Sequence, residues 1–342
     1  MKRRAAIVGL ALVLLVSVTL AVCQVPLPEL RSLVSVRKVD SYPLYVMHYY
    51  GDYGFARYLQ RGVAEEQASL PALGLGDVWA CTGFAAANPS GDAIVGRNFD
   101  WHNRQALLLF TDPPDGYASV SMVDISYLGY PRENPSWADR RALLDAPYLP
   151  FDGMNERGLA VGMMAVSHAR DRDTPQRVTI SSIHAIRLML DYAASVEEAV
   201  SLLGDYTVAF GDPPIHYLVA DSSGHSAVIE YLDGEMVVQH NEVPWQVLTN
   251  FILAEARPAG ADSRCWRYNL AYERLAQGYG ALSQTDACPS SRTSLSPIPC
   301  GRSCTTWAAA SSTSRWAGTM IEYTHFSSTD GKENLHERVS RL

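Results

Sequence analysis

The sequence predicts an α+β protein built on largely antiparallel sheets, and three observations carry that prediction. Strand-like runs joined by tight turns fill much of the first half, a helical stretch spans 181–203, and three more strand-like runs follow between 216 and 240. Strands grouped together, then helices, then strands again form the α+β pattern rather than the strict alternation of a parallel α/β fold. No internal repeat of fixed period is present.

The elements follow in chain order. Residues 1–23 join a basic start (Lys2, Arg3, Arg4) to an apolar run from Ala5 to Val22. This is the pattern of a secretory signal or an N-terminal anchor, and at about 18 apolar residues it sits on the border between the two. Cys23 after Leu20-Ala21-Val22 loosely resembles a lipoprotein cleavage site, but Val22 is bulky where a small residue is expected. Simple export is the plainer expectation, and either way the rest of the chain is expected to be extracytoplasmic. No second apolar run approaches spanning length.

Residues 24–40, with Pro26 and Pro28, read as a linker. Tyr42 to Arg61 is aromatic and alternating, then helix-like. Val78 to Ala87 reads as a buried strand, Gly91-Asp92 as a turn, and Ala93 to Asn98 as a returning strand, so a hairpin carries Cys81 and Arg97 on opposite strands. Phe151 to Ala165 repeats the pattern around a polar turn at Asn155-Glu156-Arg157-Gly158. Ile183, Ile186, Leu190, Ala193 and Ala194 recur at helical spacing, and Ser195 with Glu198 three residues on forms a capping box for a second helix. His216–Ala220, Ser226–Tyr231 and Glu235–His240 are strands, with Ser222-Ser223-Gly224 and Asp233-Gly234 as their turns. Trp266 to Gln277 is helical.

Composition narrows the function. The chain has 342 residues, 47% hydrophobic and 19% charged, enough for a sizeable core and unlike a disordered protein. A net charge of −8 leaves no basic excess to neutralise phosphates, so nucleic acid is not an expected partner. The nine histidines show no paired zinc-type spacing, so neither a metal nor another cofactor is expected. The six cysteines do not form one disulfide-like set: Cys23 lies in the leader, Cys81 and Cys265 stand alone, and Cys288, Cys300 and Cys304 crowd the tail.

Cys81 is the candidate for chemistry. A cysteine in an apolar strand is ordinarily a small core residue. Here Thr82-Gly83 follows it and leaves room for a ligand near the backbone, the hairpin brings Arg97 and Asp100 back beside it, and no histidine has an obvious pairing motif with it. The remaining way to activate the thiol is the residue's own α-amino group, freed by a cut just before it. The plainer readings are that Asp100 caps a turn before Trp101, that Arg97 is a buried partner of Glu156 or Asp100, and that Asn250 is an ordinary turn residue.

The run from Cys81 to Trp101, with Cys81-Thr82-Gly83 and then Gly96-Arg97-Asn98-Phe99-Asp100 at a fixed distance, resembles the choloylglycine hydrolase family. That family includes bile salt hydrolases, penicillin V acylases, acid ceramidase and N-acylethanolamine acid amidases. Asp152-Gly153-Met154-Asn155-Glu156-Arg157-Gly158-Leu159 resembles its DGxNExGL hairpin, Leu248-Thr249-Asn250 its TN turn, and Ser263-Arg264 with Trp266-Arg267-Tyr268 its later arginine segment.

The resemblance implies a four-layer αββα sandwich of antiparallel sheets and an N-terminal-nucleophile hydrolase of linear amides. It implies autocatalytic cleavage of Ala80–Cys81, with Cys81 as nucleophile, Arg97 beside the thiolate, Asp100 accepting from the Cys81 amine and Arg264 completing the polar network. Asn250 would donate to the oxyanion, a donor typically worth about 3–4 kcal/mol of barrier. A second donor would be a backbone N–H near Met164 or Ala165. The implied substrate is a small N-acyl amide, for whose acyl group Met163, Met164, Phe110, Tyr127 and Tyr130 are candidate contacts. The plainer reading makes these five core. Acyl transfer to an amine, or an inactive ligand-binding scaffold, are the alternatives.

The implied organisation is a leader at 1–23, a pro-segment or small subunit at 24–80, a hydrolase domain at 81–287 and an atypical tail at 288–342. The tail is rich in Ser, Thr, Arg, Cys and Pro and lacks strand alternation where the family's closing strands belong. Read one nucleotide back with codons chosen freely, 292–308 can encode DVSQPNTVWSVVYDM, close to the family's TxWSVVYD strand. A shifted frame, with closing strands lost, is therefore the expectation for the tail.

Overall fold

The computed structural model describes residues 27–39, 43–62, 81–87, 93–99, 105–172, 174, 176–211, 213–256 and 265–281, and the backbone of 303–309, 319–325 and 336–339. Helix α1 (Leu27–Ser35) leads into β1 (Arg37–Lys38), β2 (Leu44–His48) and α2 (Phe55–Arg61). Next come β3 (Thr82–Ala87), β4 (Ala93–Phe99), β5 (Ala106–Thr111), β6 (Ser119–Asp124), β7 (Pro150–Asn155), β8 (Ala160–Ala165) and β9 (Val178–Ser181). Helices α3 (Ser182–Tyr192) and α4 (Val196–Gly204) precede β10 (Tyr206–Ala209), β11 (Ile215–Ala220), β12 (Ser226–Leu232), β13 (Glu235–His240) and β14 (Gln246–Leu248). Helix α5 (Trp266–Gln277) and strands β15 (Ser303–Ala309), β16 (Thr319–His325) and β17 (His336–Val339) complete the order.

Two sheets dominate. One has nine strands in the order β1-β2-β5-β6-β7-β8-β11-β12-β13, and the other has six, β14-β3-β4-β15-β16-β17. Every pairing in them is antiparallel except β2 with β5. The two-residue period of strands divides the core into layers. Leu107 and Leu109 face α3 and α4, whereas Leu108 and Phe110 face the second sheet. On the far side of the six-stranded sheet, Phe84, Ala86, Ile94 and Val247 pack on Tyr268, Ala271 and Leu275 of α5. Three apolar layers between helix, sheet, sheet and helix make the αββα sandwich, as expected.

The hairpins also match expectation. Strand β3 pairs β4 with Gly83 opposite Arg97, although the Gly91-Asp92 turn lies outside the described residues. Ser181 and Ser195 cap α3 and α4 by accepting from His184 N and Glu198 N, both at 3.2 Å. The Glu198 carboxylate returns to Ala194 N, one residue earlier than a capping box requires.

Two expectations need correction. The segment at 24–40 is no linker across its described part: 27–35 is helix α1. Pro28 falls in its first turn, where the missing N–H is not needed. Ser32 Oγ accepts from Tyr50 N at 2.8 Å and Ser35 Oγ from His48 N at 3.0 Å, which fastens the helix to β2. The tail is not devoid of closing strands either. The β15 backbone pairs with β4 from Ser303–Phe99 to Ala308–Ile94, and β16 and β17 extend the sheet. A run such as Thr305-Thr306-Trp307 has the β-branched and aromatic content of a strand even without alternation.

Among the described residues no helix is long and apolar enough to cross a membrane; the run from Ala5 to Val22 lies outside them.

Candidate active site

Cys81 is in no disulfide, is 1% exposed, and lies immediately before β3. It shares the inter-sheet face with Ala85, while Phe84 and Ala86 face α5. Its backbone nitrogen donates to Asn250 Oδ1 at 2.7 Å. Arg267 Nη2 donates to the same oxygen at 3.1 Å, and Arg267 Nη1 bonds the Cys81 carbonyl and, at 3.2 Å, Thr82 Oγ1. Asn250 Nδ2 donates to Ala165 O at 2.8 Å. This orientation of the amide is the one its neighbours allow, since two donors face Oδ1 and an acceptor faces Nδ2.

Ala165 ends β8, and its surroundings explain why that end is open. The β7–β8 ladder stops at Asp152–Gly162, whereas β8 continues along β11 to Ala165. Val166 N donates to Pro214 O at 2.9 Å, so by strand alternation the Ala165 N–H and C=O turn to the opposite edge, beyond the last β7 pair. Asn250 Nδ2 and the Ala165 backbone therefore share one open strand edge beside the Cys81 nitrogen.

Arg97 lies opposite Gly83 and so on the Cys81 face, a diagonal position about 7–8 Å away by sheet geometry. Its Nη1 contacts Asp152 Oδ2 at 2.5 Å, with the two side chains 2% and 3% exposed. The partner is thus Asp152, from the hairpin on the other sheet. The Glu156 carboxylate accepts from Ala118 N, and Asp100 lies outside the described residues. Gly162 makes the approach possible, because a Cβ there would meet Arg97 Cδ at 3.3 Å.

The structure brings Cys81, Arg97 and Asn250 to one region. Asp100 and Arg264 lie outside the described residues. Among the described residues Arg267 holds contacts at the site, and the signal for it was its helical position. Tyr268, Ala271 and Leu275 form the buried stripe of α5, and Arg267 borders that stripe at the end nearest β3.

The space beside Gly83 is not open to a ligand. A Cβ there would lie 2.1 Å from Met164 Cε, so the missing side chain makes room for Met164. Of the five candidate acyl contacts, Met164 and Phe110 belong to the inter-sheet cluster with Cys81. Met163, Tyr127 and Tyr130 lie in or against the helix-side core, because adjacent strand residues face opposite ways. Among the described residues, Glu197, Asp221 and His225 could gather at a cation, but Asp221 already accepts from Val196 N and Ser223 N.

Comparison with known proteins gives the same picture. Residues 81–251 match the family of linear amide C–N hydrolases, choloylglycine hydrolase family. The chain is 28% identical over 203 residues to a penicillin V acylase of Pectobacterium atrosepticum, covering 53% of this chain and 52% of that protein. It therefore spans about half the length of that relative. Among solved structures, it resembles penicillin V acylase from Agrobacterium tumefaciens with 18% identity and a TM-score of 0.44, over 72% of this chain and 83% of that one. It also resembles a variant of the conjugated bile acid hydrolase from Clostridium perfringens with 15% identity and a TM-score of 0.48, over 74% and 91%. The matched segment holds Cys81, both hairpins and the Asn250 turn, and the chain belongs to the choloylglycine hydrolase family of linear amide C–N hydrolases.

Proposed function

We propose that the chain is an exported amidohydrolase that cleaves the amide bond of small N-acyl substrates through the Cys81 thiol. The observation that carries this reading is the convergence of Asn250 Oδ1 and Arg267 on the Cys81 backbone at the open end of β8. In the proposed activation the thiol adds to the Ala80 carbonyl, the peptide bond breaks, and water hydrolyses the resulting thioester. This leaves a free amine on Cys81. An α-amine titrates near about 8, which suits it to take the thiol proton at neutral pH.

In the proposed reaction the thiolate adds to the substrate carbonyl. Asn250 Nδ2 and the Ala165 N–H donate to the oxyanion, with Nδ2 exchanging its bond to Ala165 O for the substrate. The protonated amine passes its proton to the leaving nitrogen, and water then releases the acid. Arg267 and Asn250 Oδ1 hold the amine in place, with Asp100 as a further acceptor. Arg97 steadies the site through Asp152, and Arg264 completes the polar network. The apolar surroundings of Met164 and Phe110 support an apolar acyl group.

Residues 27–62 are read as part of a small chain that stays bound after the cut. Strand β2 lies inside the nine-stranded sheet. Tyr53 Oη donates to Asp191 Oδ2, and Tyr58 Oη pairs with His184 Nδ1, both at 2.6 Å. The basic and apolar leader supports export or N-terminal anchoring.

The test is turnover of penicillin V, glycine-conjugated bile acids, N-acylethanolamines and acyl-homoserine lactones by the wild type and by Cys81→Ala. Release of free acid by the wild type alone is expected. Appearance of acyl-amine product only with an added acceptor would mark an acyltransferase. Equal turnover by both proteins, or by neither, would overturn the reading.

A further inference from the structure

A buried His–Glu pair lies behind Asn250, on the inter-sheet faces of β11 and β12. His216 and Glu230 are each 1% exposed. His216 Nδ1 lies 2.8 Å from Glu230 Oε1, and Nε2 lies 2.8 Å from Thr249 O. A backbone carbonyl only accepts, so Nε2 carries a hydrogen. Glu230 also accepts from Leu253 N at 2.7 Å and Ala254 N at 2.8 Å, and from Gln239 Nε2 at 3.3 Å.

We propose that His216 and Glu230 are positioning residues for Asn250, acting as one clamp. Thr249 and Leu253-Ala254 bracket the Asn250 turn, and both sides of that turn are fastened to this one pair. His216 is also the register partner of Met164, the residue before Ala165. The bonds therefore close a ring: His216 to Thr249, Asn250 to Ala165, and Ala165 back to His216 through the β8–β11 ladder. That ring sets where Asn250 reaches the Cys81 nitrogen on the other sheet. Neither residue touches the thiol, and burying two such polar side chains is an expensive way to hold a turn unless its position matters.

The inference rests on the proposed amidase reading for its kinetic arm only. His216→Gln is the main variant, because Glu230 keeps three donors; Glu230→Gln is the second. A misplacement of about 1 Å at a reacting group can lower rate by about 100-fold. The expected result is a kcat per titrated Cys81 thiol lowered about 10–100-fold, with KM within about twofold. The second readout is amide hydrogen exchange of 249–254, expected to quicken by at least about tenfold in either variant while β8 and α3 keep their protection. Unchanged exchange of that turn in a folded variant would overturn the inference, whatever the wild-type activity. So would an unchanged kcat per thiol. A wild type without amidase activity would fail the proposed function instead, and leave the exchange readout to decide the clamp.

Discussion

Removing the Asp152 carboxylate tests how the two sheets are held beside the nucleophile. Arg97 and Asp152 meet at 2.5 Å across the inter-sheet layer with almost no exposure. Truncating one member of a buried ion pair typically destabilises by about 3–5 kcal/mol, because the other charge loses its main compensation. A domain has roughly 5–15 kcal/mol in all, so Asp152→Ala is expected to fold but to be fragile. With a urea slope of about 3 kcal/mol/M, the midpoint should fall by about 1–1.7 M. Replacing both partners by apolar groups, Arg97→Met with Asp152→Leu, should recover most of that loss, since no charge is then stranded. Urea denaturation of the wild type, the two singles and the double completes the cycle. A single-variant shift under about 0.3 M, or strictly additive singles, would refute the claim that the pair acts as a buried unit.

Three further outcomes are expected. Burial holds the His184 imidazole down at about 4, below the ordinary 6.5. The unfolded chain thus binds a proton that the folded chain excludes between those values. Stability should be whole above about pH 6.5 and fall by up to about 3 kcal/mol as pH drops toward 4, and His184→Gln should flatten that slope in pH-dependent urea melts. Parallel slopes would contradict it. Arg267→Ala should lower kcat/KM by about 100-fold, as for loss of a positioning contact, measured on an amide substrate that the wild type turns over; a change within a few-fold would contradict it. Mass spectrometry of the C-terminal peptides, together with resequencing of the gene, should reveal a shifted frame after about residue 288; an intact single frame matching the tail as written would remove that reading.

Local pattern made most of the elements legible. The apolar runs in Ala160–Ala165 and His216–Ala220, the turn residues at 155–158, and the caps Ser181 and Ser195 are short-range signals, and each element lies where they point. The linker reading of 24–40 failed because prolines were taken as breakers, although Pro28 occupies the one helical turn that tolerates it. The site was legible where a motif carried it, at Cys81, Arg97 and Asn250. The partner of Arg97 was not, because Asp152 lies 55 residues on, in another sheet, and no spacing rule links residues joined only by packing. Arg267 was not singled out because its merit depends on which side of α5 is buried. His216 and Glu230 read as ordinary strand residues; only the return of 249–254 onto them reveals the pair.

The central claim is that Cys81 becomes an N-terminal nucleophile. Intact mass and N-terminal sequencing of the purified full-length product, before and after a brief exposure to an activated acyl donor, test it most directly. The account predicts two chains that stay together, a large chain beginning at Cys81, a single acyl adduct on that residue, and an uncut, unacylated Cys81→Ala variant. An uncut Ala80–Cys81 bond in a protein that still turns over amides, or an acyl group carried elsewhere, would contradict it.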